Sequence, residues 1–434
     1  MKFKLTNISA LQLFQLMRFG ALMLIGIVFT KTSLTTQSIG EYEQFLFLAG
    51  AVSYFWLNGL IRGLLPLTKE DDRTNHIRFF NAFLLLSLFS LICVGLLSLL
   101  ARPVSEGLLN NSHIKYLGLL VLYLVLGVPA NLIEYFFLIR KEPSRIFTYG
   151  SISFSLMVAM IIAPSIAGLP ITFSLYGLIV ITILRYIFLW VILLRGGPLK
   201  VSFPFMKEHL RLSAPLILSA VLSGSAQYVD GFIVTSRFDE ATFAVFRYGA
   251  RELPLVLLLA NAFSNAMLPE FGNKQKLKEN LKQIKMESLR LANLLFPLSA
   301  ILLVTSHFLF PLVFNSQFEE SATIFNIYLL LITSRLLFPQ TLLIGLKETS
   351  IIAWASFLEL IVNVALSLWF VTFWGIEGIA YATIIAYLFE KAFLVVRARG
   401  RLNISLTHYQ NIFRHLIYSL LLLAVFYLVE FVIY

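Results

Sequence analysis

One cysteine in 434 residues, Cys93, leaves the chain without a disulfide framework and without a Cys-based zinc or iron–sulfur site. Charge is scarce as well. Asp, Glu, Lys and Arg together make up 13%, which excludes disordered tails, coiled coils and nearly every soluble globular class. No G-x-x-x-x-G-K-[ST] string occurs, so the chain carries no P-loop nucleotide motor. The six histidines, His76, His113, His209, His307, His408 and His415, never share a helix at metal-ligand spacing, and neither a metal nor a cofactor is expected. What fills the chain instead is apolar bulk: 59% hydrophobic residues with 40 Phe, 17 Tyr and 5 Trp, and a mean hydropathy of +0.84.

About 20 consecutive apolar residues suffice for a helix to cross a ~30 Å hydrocarbon core. Such stretches recur near residues 7–30, 40–67, 78–101, 114–140, 145–166, 171–194, 211–236, 241–271, 286–314, 321–345, 349–373, 375–396 and 412–434. They predict an all-α, polytopic integral membrane protein with about 13 transmembrane helices. The first stretch lacks a small-residue cleavage site and is interrupted by Arg18, so it does not read as a cleaved signal peptide. With these spans, 25 of the 34 Lys and Arg fall on the side of the N-terminus and four, Lys31, Arg102, Lys115 and Arg237, on the other. The positive-inside rule then places the N-terminus in the cytoplasm. The net charge of +11 reads as basic loops against membrane lipid, and no nucleic-acid partner is expected.

The chain repeats itself. "GLIRGLLP", ending at Pro66, returns as "SNAMLPEF" with Pro269, an offset of 203. "LIRKE" with Lys141 and Glu142 returns as "IGLKE" with Lys347 and Glu348, an offset of 206. "YGLIV" at Gly177 matches "EGIAYATIIAY" at Gly378, an offset of 201. Offsets this similar point to a duplicated six-helix unit, and an even number of spans per unit gives both copies the same orientation. The expected organisation is an N-terminal six-helix lobe over 1–200 and a C-terminal six-helix lobe over 201–397. Residues 398–434 add a cytoplasmic linker and one extra helix. The seam falls in "RGGPLKVSFPFMKEHL" near 195–210. Two such bundles facing each other across a cavity make a transporter.

"IGEYEQF" opening the second helix, the terminal "LLP" and "LPEF", and "GIEGIAYATIIAY" opening the twelfth resemble polysaccharide flippases of the MOP superfamily. These are the O-antigen (Wzx-type) flippases, related to multidrug MATE exporters and the lipid II flippase. The resemblance spans roughly residues 7–396. It implies a V-shaped, two-lobed bundle in the bacterial inner membrane that moves undecaprenyl-diphosphate-linked oligosaccharide from the cytoplasmic to the outer leaflet. It further implies a functional monomer working alongside a polymerase and glycosyltransferases, with H+ or Na+ coupling open. Related folds have twelve or fourteen helices, whereas thirteen are counted here.

Five arginines fall inside predicted spans: Arg18, Arg185, Arg247, Arg251 and Arg335. A charge at the bilayer centre costs about 2.5–3.5 kcal/mol on insertion scales, so each needs a partner or a ligand. Counting depth from the turns pairs Asp230 with Arg247 and Arg335 with Glu359, as structural ion pairs or as site residues. Arg251 lies one turn beyond Arg247 on the same expected helical face, opposite the polar run "SGSAQYVD" with Ser223, Ser225, Gln227 and Tyr228. Stacked guanidiniums suit a diphosphate, whose oxygens accept paired hydrogen bonds. Arg18, Arg247 and Arg251 are therefore the expected anion site, with Asp230, Glu252 and Glu359 as candidate ion-coupling carboxylates. Arg185, nine residues from its span's end, is expected to snorkel. The segment from Lys274, "KQKLKENLKQIKMESLR", reads as a basic amphipathic helix on the membrane surface.

Two other functions compete. A MATE-type exporter of organic cations needs unpaired carboxylates in its cavity, where this chain offers at least as many arginines. A membrane-embedded glycan-processing enzyme needs catalytic groups on the outer side. The longest outer loops, near 31–40 and 102–113, are short, and the pairs Glu319–Glu320 and Asp239–Glu240 read as polar turns. The chain is not expected to be an enzyme.

Overall fold

A computed structural model describes residues 7–68, 72–109, 113–252, 254–267, 276–346 and 348–434. Every regular element among them is helical. Among the described residues, nine helices are long and apolar enough to cross a membrane, ten if the bent pair Glu320–Arg335 and Pro339–Gly345, meeting at 44°, counts as one span. By contacts the chain forms two compact units, Met1–Gly224 with Thr235–Ala244, and Ser225–Val234 with Val245–Tyr434.

The first unit contains α1 (Asn7–Thr30), α2 (Thr36–Leu64), α3 (Asp72–Leu99), α4 (Ala101–Leu108), α5 (Leu117–Ala130), α6 (Ile133–Ile139), α7 (Pro143–Ile166), α8 (Ile171–Gly196) and α9 (Phe203–Gly224). Most of these helices are apolar on nearly all faces, as spans bathed in lipid should be. Polar exceptions fix them in place. Thr35 caps α2 by accepting from the Ser38 amide at 3.2 Å. Pro129 cannot donate to the preceding turn and ends α5, so the fourth span is two helices with a break at 131–132. The six-helix repeat is expected to change over near residues 195–210. The compact unit nevertheless runs on through α9, which packs along α2, and buried His209 is hydrogen-bonded at Nε2 to the Leu60 carbonyl at 2.7 Å. Within the outer loop expected near 102–113, the chain forms α4, braced by an exposed Arg102–Glu106 pair at 2.8 Å.

α10 (Ala226–Arg237) and α11 (Glu240–Gly249) each contribute to both units. The second unit continues with α12 (Pro254–Met267), α13 (Leu277–Val313), α14 (Glu320–Leu329), α15 (Ile332–Arg335), α16 (Pro339–Gly345), α17 (Thr349–Leu402), α18 (Leu406–Tyr409) and α19 (Ile412–Leu428). The basic segment expected on the membrane surface is instead, from Leu277 on, the first turns of the 37-residue α13, continuous with its apolar span. Lys274 lies outside the described residues. α17 is not one rod. Asn363 Nδ2 reaches Thr383 Oγ1 at 3.1 Å, although a straight helix would separate residues 20 apart by about 30 Å. The chain folds back at Gly375 (φ 55°, ψ −135°), so α17 supplies both the eleventh and twelfth expected spans. Together with the broken α9–α10 and α11–α12, the helices are consistent with thirteen passes.

The repeat is visible in detail. The Glu142 amide donates to the Phe137 carbonyl at 2.9 Å, and the Glu348 amide to the Leu343 carbonyl at 2.8 Å, the same turn 206 residues on. Gly177 and Gly378, the matched glycines, each sit where a Cβ would strike a backbone carbonyl of the preceding helix, Met160 in one case and Phe370 in the other. Both hairpins close on a glycine for the same steric reason. α19 docks on α13 and ends in a π-turn over Val429–Ile433. There, Glu430 accepts from His307 Nε2 at 2.9 Å and from Asn326.

Candidate functional site

The two arms of α17 face each other through polar stripes. Glu359, Asn363 and Ser367 recur every fourth residue on the first arm, and all three are buried. Thr383, Tyr387 and Lys391 recur at the same spacing on the second, with Thr383 and Lys391 buried and Tyr387 half-buried. Fourfold spacing keeps each set on one helical face. Asp230 of α10 meets these stripes, 3% exposed, accepting through Oδ2 from Thr383 Oγ1 at 2.6 Å and from Tyr328 Oη at 3.2 Å. Asp230 Oδ1, Asn363 Oδ1 and Glu359 Oε1 are buried without a hydrogen-bond partner among the described residues. A buried oxygen left without a donor is costly, and several in one core suit a proton or a small hard cation.

Arg335 sits in the same unit, in a fork on Glu252: Nε to Oε2 at 2.9 Å and Nη2 to Oε1 at 2.5 Å. Its guanidinium lies over the Tyr387 ring at 4.3 Å. The Arg335–Glu359 pair expected from depth counting is not formed. That count treated the tenth span as one helix, whereas breaks on either side of α15 redirect the side chain. Further along, Lys391 Nζ donates to Glu390 Oε2 at 2.9 Å and to Gln340 Oε1 at 3.0 Å, and Gln340 Nε2 to Glu390 Oε1 at 2.9 Å. Lys391, expected among the basic loop residues, is therefore a core residue, 3% exposed.

Around the expected anion site, the eighth span also breaks. α11 stops at Gly249 and α12 starts at Pro254, because a proline has no N–H to donate to the carbonyl four residues back, at Ala250, and its ring clashes there. Arg251 lies in that break, off the helix, so it does not extend a helical stack with Arg247. Its guanidinium lies over the Tyr248 ring at 4.7 Å. Arg247 is exposed at the end of α11, and the Asp230–Arg247 pair is not formed, since Asp230 is buried among hydroxyls. Ser225 occupies the break between α9 and α10, where its carbonyl accepts the Tyr228 amide at 2.9 Å. The side chains of Ser223 and Gln227 lie outside the described residues, as do Pro269 and Lys347.

The first unit carries its own deep polar group. Arg185 Nε donates to Tyr149 Oη at 2.9 Å and lies over that ring at 5.9 Å, with buried Glu134 within electrostatic reach. Arg185 is thus held inside the unit and does not simply snorkel. Arg18 is exposed on α1. At the opposite end of the unit, ahead of α5, Lys115 Nζ bridges Glu41 at 3.0 Å and Glu240 at 2.9 Å, while Gln37 also donates to Glu240. Burial lowers the Lys115 pKa and the two carboxylates raise it by more, so the ammonium titrates above the ordinary lysine range.

Residues 15–323 match the family model described as "Polysaccharide biosynthesis protein". The chain belongs to that family. No curated protein matches this polysaccharide biosynthesis family member. Among solved structures, it is similar to the lipid II flippase MurJ in an inward closed conformation, with 17% identity and a TM-score of 0.65. That match covers 97% of this chain and 98% of MurJ. It is also similar to an inward-facing multidrug resistance MATE family transporter of the MOP superfamily, with 14% identity and a TM-score of 0.63. Here the coverage is 88% of this chain and 94% of the transporter. The outward-facing form of a MATE transporter gives a TM-score of 0.53 at 13% identity over 92% of this chain and 95% of that one. The fold is shared with MurJ and with these MATE transporters, and the all-α membrane architecture expected from the sequence is present.

Proposed function

We propose that the chain moves a lipid-linked oligosaccharide, carried on undecaprenyl diphosphate, from the cytoplasmic to the outer leaflet of a bacterial inner membrane by alternating access. Membership of a polysaccharide biosynthesis family in a chain with a flippase fold carries this reading. Headgroup polarity is what prevents such a lipid from crossing unaided, so the protein's task is to give a diphosphate and sugars a polar path. On the second unit, Arg247 and Arg251 are the groups assigned to the diphosphate, with Ser225 and Tyr228 of the same unit as polar groups for the sugars; Arg18, exposed on the first unit, is a separate candidate anion contact. Arg335 is excluded from that role by its fork on Glu252.

Net transport in one direction needs a driving force. Asp230 is the acid assigned to ion coupling, because its free carboxylate oxygen and that of Glu359 are buried with the Asn363 carbonyl. Protonation, or occupation by Na+, would satisfy these oxygens and bias the packing of α10 against α17. Glu252 is occupied by Arg335 and has no part in coupling. The second reading, a cation-coupled multidrug exporter, draws on the same buried acids and on the MATE likeness.

The test is complementation of glycan export with Arg251→Ala and Arg251→Lys. Export is expected to fall with Ala and to recover partly with Lys, which keeps the charge and loses the fork. Wild-type export from properly inserted Arg251→Ala removes it from the site. Binding of a hydrophobic cation by the purified chain, with none of a polyprenyl-diphosphate sugar, reverses the ranking.

A further inference from the structure

A second kind of site lies on the first unit, between α7 and α8. A lateral cavity of about 600 Å³ opens there, walled by apolar side chains such as Ile152, Leu156 and Phe188. Four arginines line it, Arg140, Arg145, Arg185 and Arg195, and among the described residues no acid does, although buried Glu134 lies within electrostatic reach of Arg185. Three of them cluster at one end: Arg140 caps α6, Arg145 opens α7 and Arg195 closes α8. Glu142 accepts from Arg145 at 3.1 Å and lies 3.7 Å from Arg140, which leaves Arg195 as surplus charge at the mouth. Deeper in, Arg185 spends only Nε on Tyr149, and its two terminal nitrogens have no hydrogen-bond partner among the described residues.

The repeat supplies an independent copy. In the second unit, a cavity of about 680 Å³ opens between the two arms of α17 at the corresponding end. Apolar Trp354, Leu358 and Val396 line it, and Arg397 and Arg401 stand there with Glu348. Arg401 lies 3.8 Å from Glu348, so this copy carries less free charge.

We infer that both grooves hold an anionic glycerophospholipid of the surrounding leaflet, with its phosphate on the arginines and its acyl chains along the apolar wall. The chemistry is specific. A groove of lipid width that ends in guanidiniums takes a phosphodiester through forked hydrogen bonds, and a net negative headgroup over a zwitterionic one. Basic pockets between spans recognise anionic headgroups for this reason. The first groove, with more uncompensated charge, is the tighter one.

Native mass spectrometry of the full chain, titrated with phosphatidylglycerol or phosphatidylcholine, tests this. One tight and one weaker phosphatidylglycerol adduct are expected, with phosphatidylcholine at least about tenfold weaker at the tight site. Each arginine near a lipid surface is worth about fivefold, so the double variant Arg145→Gln/Arg195→Gln should weaken the tight adduct roughly 30-fold and leave the other. Both side chains are exposed, so the fold is not at stake. Ile152→Trp keeps the charges and fills the groove, and should also remove the tight adduct. Equal retention of the two lipids, or a tight adduct undiminished in either variant, overturns the assignment.

Discussion

Removing Arg335 is the sharpest test of how the second unit is held together. Its fork with Glu252 is about four-fifths buried on both sides, with side-chain exposures of 21% and 20%. Breaking a fully buried pair by deleting one member costs about 3–5 kcal/mol, and an exposed pair is worth about 1 kcal/mol or less. This degree of burial puts Glu252→Gln near ~2 kcal/mol. Arg335→Gln also loses the stacking on Tyr387, worth about 0.5–2 kcal/mol, and should reach roughly 3 kcal/mol. Once the first partner is gone the second has little left to lose, so the double variant should also stand near ~3 kcal/mol, a coupling of about 2 kcal/mol. Equilibrium unfolding of the purified chain in mixed micelles measures all four corners. A parallel cycle of Arg335→Gln with Glu359→Gln should give a clearly smaller coupling, about 0.5 kcal/mol, since those groups share no hydrogen bond and interact only through space. If the Glu252 cycle is flat and the Glu359 cycle is not, the pairing described above is wrong.

Asp230→Asn keeps an acceptor for Thr383 but cannot ionise. Transport should fall on the order of tenfold or more, and its dependence on pH or Na+ should disappear at unchanged protein level. Retained ion dependence would move the coupling role elsewhere. Lys115→Met leaves Glu41 and Glu240 without their shared cation and should destabilise the chain by about 2 kcal/mol at neutral pH. Because the folded pKa of Lys115 is raised, its contribution is complete below the unfolded lysine value of about 10.4. It is lost as pH rises through the higher folded value. Wild type and variant unfolding curves should therefore stay apart from pH 6 to 9 and converge only in strong alkali. Gly177→Ala and Gly378→Ala each push a methyl into a carbonyl of the neighbouring helix and should cost about 1–3 kcal/mol alike, whereas exposed Gly20→Ala should not destabilise.

The membrane architecture was legible because the bilayer imposes it. Long apolar runs and one-sided arginines survive any detail of packing, and the matched "LIRKE" and "IGLKE" turns proved to share one hydrogen bond. Buried partnerships were less legible. Depth counting assumes unbroken helices, and it failed where Pro254 ejects Arg251 from its helix and where the breaks around α15 turn Arg335 toward Glu252. The polar core around Asp230 left a readable trace that composition obscured. Thr383, Tyr387 and Lys391, like Glu359, Asn363 and Ser367, repeat every fourth residue in otherwise apolar sequence. Looking only for charges in mid-span missed Thr383, Asn363 and Tyr328, whose hydroxyls and amide surround Asp230.

The decisive measurement is transport by the purified chain in liposomes loaded with a labelled polyprenyl-diphosphate oligosaccharide. Headgroup appearance at the far leaflet can be followed with an impermeant glycosidase. The sugar should become accessible far faster than in protein-free vesicles, with Arg251→Ala and Asp230→Asn slowing it. Accessibility no faster than in empty vesicles, from protein that still takes up a hydrophobic cation, would contradict lipid-linked sugar as the cargo.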